Sequence, residues 1–398
     1  MSYDFETIVR GGAGNLKQQW TSDTIRNAGL VSFEAAEMDF TTAPSIKKSL
    51  TELITNGNFG FNLPSSEYKD AVCWWMKHVR DWSIDPDWIV PVMGTIYSVA
   101  TTIRMVLQPG ERIIVPVPGY SRYAQAAARL GFETVVSAMK ENNGQYEMDF
   151  EDLERCMADP ANRILILCNP HNPTGRVWSR EELTKVAELS VKYDVIVYSD
   201  EIFAEVVFDG NRTIPYCEIE EGRSHAIVCT SLGKTFNFTG VNHANIIIPD
   251  EQLRERFTTQ RTADHYGSLE PFAYASILGA YCEEGADWKQ QMLQVIDRNR
   301  KLITDYFSEP DAPGYVYPVE GTFVCWIKWN LPGLSGETLK KFLDEEAMVP
   351  LEIGTEFGPG YENYTRMNLG STTKQTEMAV GRLREAVRKY RNERMISC

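Results

Sequence analysis

Positive charge is in short supply in this chain: 40 lysines and arginines face 55 aspartates and glutamates, for a formal net charge of −15 at neutral pH. Nucleic acids and anionic membrane surfaces attract clustered basic residues, so neither is expected as a partner, and an anionic ligand must be held by local groups. No stretch of about 18 apolar residues occurs, which leaves no candidate membrane span. Residues 1–20 lack a basic start followed by an apolar run, so the cytoplasm is the default location. The eight cysteines, at positions 73, 156, 168, 217, 229, 282, 325 and 398, form no Cys-x-x-Cys pair, and the five histidines are scattered. Neither zinc nor redox spacing is present, and no metal is expected. Several of these cysteines stand in apolar runs, where a reduced thiol behaves as a small hydrophobe. Internal repeats and low-complexity tracts are also missing.

What is there can build a large core. With 398 residues, 43% of them hydrophobic and 24% charged, the chain has the make-up of an ordinary globular protein long enough for two domains. A β-then-α rhythm runs through its middle. Thr95–Leu107 reads as a helix stopped by Pro109-Gly110, Ile113–Val117 as a strand, and Glu181–Lys192 as a helix opened by Ser179. Such alternation implies an α/β fold with a mainly parallel sheet and helices on both faces. Ile246–Ile248 adds a further strand candidate, and residues 270–307 read as long helical segments interrupted near Gly285-Ala-Asp. The last part mixes strands such as Thr322–Trp329 with a final amphipathic helix over Gln375–Arg391, as suits a smaller α+β domain.

Three segments carry the chemistry. Cys168-Asn-Pro-His-Asn-Pro-Thr-Gly175 supplies an amide, Tyr198-Ser-Asp200-Glu a carboxylate, and Ser231-Leu-Gly-Lys234-Thr-Phe-Asn a lysine, in that order. Each follows an apolar, β-rich run (Ile164–Leu167, Val195–Tyr198, Ala226–Cys229), and residues just past the carboxyl ends of strands are where open α/β sheets bind ligands. A lone lysine is usually a solvated surface group and a lone aspartate after a strand is often a helix cap. Together they match the needs of pyridoxal phosphate: an amine to hold its aldehyde, an acid to keep its ring nitrogen protonated, and a donor to its phenolic oxygen. Lys234, Asp200 and Asn172 are the respective candidates. Gly94-Thr95-Ile96, after Trp88-Ile-Val-Pro-Val and before the first predicted helix, offers backbone N–H groups to a phosphate.

Over nearly its whole length the chain resembles the fold type I pyridoxal phosphate enzymes, within them the MalY/PatB cystathionine β-lyase group of the class I and II aminotransferase superfamily. The resemblance runs through Tyr3-Asp-Phe, Ala36-Glu-Met-Asp-Phe40, Asn169-Pro-His-Asn-Pro-Thr-Gly-Arg-Val-Trp178, Ser199-Asp-Glu-Ile202, Glu320-Gly-Thr-Phe323, Phe357-Gly-Pro-Gly360 and Arg366-Met-Asn-Leu-Gly370. His171 and Trp178 point to the lyase group rather than to aspartate-type transaminases. The resemblance implies a large cofactor-binding domain over residues 45–285 and a small domain from 1–44 with 286–398. It also implies a homodimer with sites at the subunit boundary. By the same resemblance Tyr120 stacks on the cofactor ring, Ser231 adds a hydroxyl to the phosphate site, Arg366 clamps the substrate α-carboxylate, and Ala36 with Asn172 lies on the substrate side.

Three positions and one segment depart from the commonest pattern, the third position in favour of the lyase-like group. Phe61 stands where relatives carry a tyrosine reaching the neighbouring subunit's phosphate, and Phe203 replaces a tyrosine or histidine near the phenolic oxygen. Asn242 replaces the phosphate-binding arginine of aspartate-type transaminases. Phe33-Glu-Ala-Ala-Glu-Met replaces Trp-Val-Ala-Asp-Met on the substrate side. The activity implied is β-elimination from cystathionine or another S-substituted cysteine, giving a thiol, pyruvate and ammonia. Transamination of an L-amino acid is the alternative that shares its early steps. A regulatory role without chemistry is the alternative of another kind, although no helix-turn-helix precedes the enzyme pattern.

Overall fold

The computed structural model describes residues 2–9, 11, 12 and 14–396. Its main sheet is assembled from strands β1 (Ile89–Val92), β2 (Arg112–Val117) and β3 (Glu133–Ala138), and, after a small hairpin of β4 (Lys140–Asn142) and β5 (Gln145–Glu147), from β6 (Asn162–Cys168), β7 (Ile196–Asp200), β8 (Ala226–Thr230) and β9 (Ala244–Ile247). The order across the sheet is β1-β9-β8-β7-β6-β2-β3. Only β9 is reversed, being antiparallel to both of its neighbours. The mainly parallel sheet expected from the sequence is therefore present.

Burial on both faces explains the apolar runs. Along β6, β7 and β8, Leu165, Leu167, Val197, Ala226 and Val228 join one buried cluster, while Ile164, Ile166, Ile196, Tyr198, Ile227 and Cys229 join another. Successive residues of a strand point to opposite faces, so helices must cover the sheet on both sides. Capping sets where those helices start. Ser179 Oγ accepts from the Glu182 N–H at 3.2 Å and the Glu182 carboxylate accepts from the Ser179 N–H at 2.8 Å, a reciprocal cap at the head of Arg180–Tyr193.

A second, four-stranded antiparallel sheet has the order β10-β11-β13-β12, with β10 at Gly314–Val316, β11 at Val324–Trp329, β12 at Glu352–Ile353 and β13 at Tyr364–Asn368. The strand expected from Thr322 starts two residues later, because Thr322 takes φ 73 and its hydroxyl accepts from the Val324 N–H at 3.2 Å. The interruption expected near Gly285 falls instead at Tyr281-Cys282, between helices Pro271–Ala280 and Glu283–Phe307. Gly285 lies inside the second helix. A Cβ there would come within 1.9 Å of the Ala280 carbonyl oxygen, so close packing, not helix breaking, calls for glycine. The final helix, Thr373–Ile396, is longer than the Gln375–Arg391 expected. Among the described residues no helix is long and apolar enough to cross a membrane. The seven described cysteines are free thiols, and Cys398 lies outside the described residues.

One buried ion pair fixes the end of β7. Glu201 is fully buried, pairs with the buried Arg80 guanidinium, and also accepts from the Tyr216 N–H at 2.8 Å and the Ser199 hydroxyl at 3.0 Å. Removing one partner strands a charge in the core. Arg80→Met is expected to cost roughly 3–5 kcal/mol, seen as a lower denaturant midpoint, with Arg80→Met/Glu201→Gln recovering part of the loss. An unchanged midpoint in the single variant would contradict this.

Candidate active site

Six of the seven main-sheet strands run the same way, so their carboxyl ends meet at one edge. Asp200 closes β7, Asn172 follows β6, Ser231 and Lys234 follow β8, Gly94 follows β1 and Tyr120 follows β2. A cavity of about 840 Å³ opens there, and Gly94, Thr95, Ile96, Tyr120, Asn172, Asp200, Ser231 and Lys234 all line it. Arg366, from β13, and Ala36, from the segment before the first long helix, complete the wall. All ten positions singled out from the sequence therefore surround one space.

Asp200 is 1% exposed. Its Oδ2 accepts from the Tyr123 hydroxyl at 2.5 Å and its Oδ1 from the Ile202 N–H at 3.2 Å. Burial still pushes its carboxyl up to about 6, against the lowering effect of those bonds and of Lys234. Lys234 is half-buried, and its Nζ donates to the Ala36 carbonyl at 2.7 Å and sits 5.6 Å from the Phe203 ring centre. Burial, then the nearby Arg366 charge, push its amine down to about 8. The buried Arg366 donates to Asn172 Oδ1 at 3.0 Å and is ion-paired with Glu352. This leaves the Asn172 amide hydrogens free of that bond.

Gly94 has φ 92, in the range that favours glycine, and caps the helix Thr95–Val106. The first bond of that helix runs from the Ser98 N–H to the Gly94 carbonyl at 3.1 Å, so the earlier N–H groups end at the cavity. Ser231 is otherwise engaged. Its hydroxyl donates to the His243 carbonyl at 2.9 Å and accepts from the Gly233 N–H at 3.1 Å, capping the short helix Leu232–Thr235. Tyr120 meets Tyr123 edge to face, with ring centres 5.4 Å apart. The Phe203 ring is buried and Asn242 lines the cavity beside Gly94, whereas Phe61 is 97% exposed, away from this cavity.

The sequence matches the family Aminotransferase class I and II over residues 28–383. The chain belongs to that family. Cystathionine β-lyase PatB of Bacillus subtilis is 30% identical to it over 95% of this chain and 98% of that protein. Protein MalY of Escherichia coli is 26% identical over 98% and 100%. The crystal structure of cystalysin from Treponema denticola, which contains a pyridoxal 5'-phosphate cofactor, superposes with a TM-score of 0.91 at 30% identity, covering 98% of this chain and 100% of that one. This family member has the fold type I architecture and is a pyridoxal phosphate enzyme.

Four residues that shape this family member's site escaped the sequence reading. Tyr123 reaches Asp200 from helix Arg122–Arg129. Asn237 binds Met38 and Phe40 through three backbone bonds of 2.9–3.0 Å, while Asn368 holds the Ala35 and Glu37 carbonyls at 2.8 and 2.7 Å. These two asparagines pin the segment that presents the Ala36 carbonyl. The fourth, Glu352, reaches Arg366 across a strand pair. Tyr123 stands three residues after Tyr120, and Asn237 and Asn368 stand inside the quoted motifs, whereas nothing in the sequence pointed to Glu352.

The raised carboxyl of Asp200 has a consequence for stability. In the folded chain it holds a proton that the unfolded chain loses near pH 4, so its unfavourable effect is absent below that value and grows as pH rises through about 6. Asp200→Asn is therefore expected to stabilise the cofactor-free protein by a few kcal/mol at pH 8 and by little at pH 4. Melting curves at both pH values check this, and a gain that shrinks with rising pH would contradict it.

Proposed function

We propose that this chain is a carbon–sulfur β-lyase acting on cystathionine or a related S-substituted cysteine. The observation that carries the proposal is the meeting, in one cavity, of an amine lowered to about 8, a buried acid raised to about 6 and a buried guanidinium. The relatives named cystathionine β-lyase support the choice of reaction.

The cavity suits pyridoxal phosphate. A carboxyl disfavoured by burial, such as Asp200, gains from a cationic ring nitrogen beside it. The helix end at Gly94, Thr95 and Ile96 suits a phosphate, with Ser231 able to join only by turning its hydroxyl from His243. Tyr120 offers a ring face and the Asn172 amide a donor to the phenolic oxygen. When bound, the cofactor supplies an aldehyde that condenses with amines and a protonated ring that withdraws electrons from the substrate Cα.

Arg366 then holds the substrate α-carboxylate through its planar fork, which fixes the orientation of Cα. Lys234 takes the Cα proton at Nζ, a task suited to an amine ordinarily far more basic but here lowered to about 8. The same Nζ can return a proton to the sulfur as its bond to Cβ breaks. With one water consumed, thiol, pyruvate and ammonia are the overall products. Transamination is the second reading, favoured by the family to which the chain belongs, and differs in where the proton goes back.

We also propose that residues 45–285 form the cofactor-binding domain and 1–44 with 286–398 the smaller one, and that the chain works as a cytoplasmic homodimer. Exposed Phe59, Phe61 and Leu63, with Phe59 stacked on Phe272 at 5.8 Å, offer an apolar surface for a second copy.

The test combines labelling with turnover. Borohydride treatment of the loaded protein should mark the peptide containing Lys234, and a panel of cysteine conjugates should yield thiol and pyruvate without a keto-acid acceptor. Lys234→Ala should lower kcat by at least about a thousandfold. Turnover that depends on a keto acid and releases no thiol would overturn the lyase assignment.

A further inference from the structure

Arg366, proposed to receive the substrate α-carboxylate, already holds a carboxylate. One terminal nitrogen of its guanidinium donates to Glu352 and the other to Asn172 Oδ1. The Arg366 side chain is 4% exposed and that of Glu352 is 25% exposed, so the acid has room to move where the guanidinium has none. The two residues face each other across the β12–β13 ladder, with Glu352 on the two-residue edge strand. A guanidinium binds a carboxylate best through two parallel N–H donors. An incoming α-carboxylate therefore needs a nitrogen that Glu352 now occupies, and two carboxylates crowded on one buried cation repel each other.

Once displaced, Glu352 stays in the cavity wall, where the other cations are Lys340, Arg122 and Lys234, the last near enough to feel the Glu352 charge but bonded to the Ala36 carbonyl at 2.7 Å. Lys340, also in that wall, is bonded to Glu34 at 3.1 Å and to Asp344. Arg122 is exposed and donates to Gln125 at 3.2 Å. Glu356, four residues after Glu352 and exposed, adds a second negative charge to the same wall. With Arg366 taken by substrate, Glu352 keeps no ion pair among the described residues, and Glu356 borders the same cavity.

We propose that Glu352 is a specificity residue: released from Arg366 by the α-carboxylate, it receives a cationic group on the S-substituent. The site then favours S-substituted cysteines whose arm ends in an ammonium or similar cation. This rests on the assignment of Arg366 as the α-carboxylate clamp.

The test compares S-(2-aminoethyl)-L-cysteine with S-propyl-L-cysteine, which has nearly the same shape and no charge on the arm. Both are mixed with protein loaded with pyridoxal phosphate, wild type and Glu352→Gln. Binding is read from the rapid absorbance change on mixing, and kcat/KM from thiol release. Wild type should prefer the aminoethyl compound by about tenfold or more, and Glu352→Gln should lose that preference while binding the propyl compound more tightly than wild type does. An equal preference in both proteins overturns the inference. So does an equal weakening of both ligands in Glu352→Gln, as a role confined to holding Arg366 in place would produce, and so does failure of wild type to bind either. Binding with the expected preference but without thiol release would leave the inference standing and remove the lyase assignment instead.

Discussion

A carboxylate buried at the end of a central strand governs this structure. Asp200 has almost no contact with solvent, yet its bonds from Tyr123 and Ile202 favour the charged form that burial opposes. Such a group either keeps its proton or is charged beside a cation. Its neighbour Glu201 already has one in Arg80, while Asp200 faces the cavity and Lys234 across it. These adjacent acids have different duties: Glu201, just past the strand, anchors the fold, and Asp200, its last residue, meets the cavity.

Around that acid, three separate parts of the chain are brought to one place by different forces. The parallel sheet aligns strand ends because both of its faces are covered, and this gathers Gly94, Tyr120, Asn172, Asp200, Ser231 and Lys234. Segment 35–40 is held by backbone-directed bonds from Asn237 on one side and Asn368 on the other. Arg366 arrives on a strand of the second sheet and is tied to the first by its bond to Asn172. Because that bond joins the second sheet to the loop after β6, the Arg366 guanidinium and the Asn172 amide are set relative to each other.

Much of the fold could be read from residue patterns. The strands around Ile164–Cys168 and Ile196–Asp200 are short apolar runs with residue types that suit strands, and Ser179 with Glu182 marks a helix start through local bonds alone. Where the reading and the structure differ, packing and hydrogen-bond direction that residue type does not encode are responsible. Gly285 looked like a helix break because glycine disfavours helices, but its place is set by the approach of the Ala280 carbonyl. Ser231 was placed at the phosphate site by the family resemblance, and in the structure its hydroxyl donates to the His243 carbonyl, twelve residues away.

By itself the sequence determined the chemistry on offer: the amide, acid and lysine in order after buried strands, the arginine that follows, and the family pattern that contains them. These are legible because residue type and local spacing determine them. Only the tertiary structure decided that Tyr123 supports Asp200, that two asparagines present the Ala36 carbonyl, and that Glu352 rests on Arg366. Those pairings join residues 14 to more than 300 positions apart, and their energies depend on burial and direction, which no local pattern encodes.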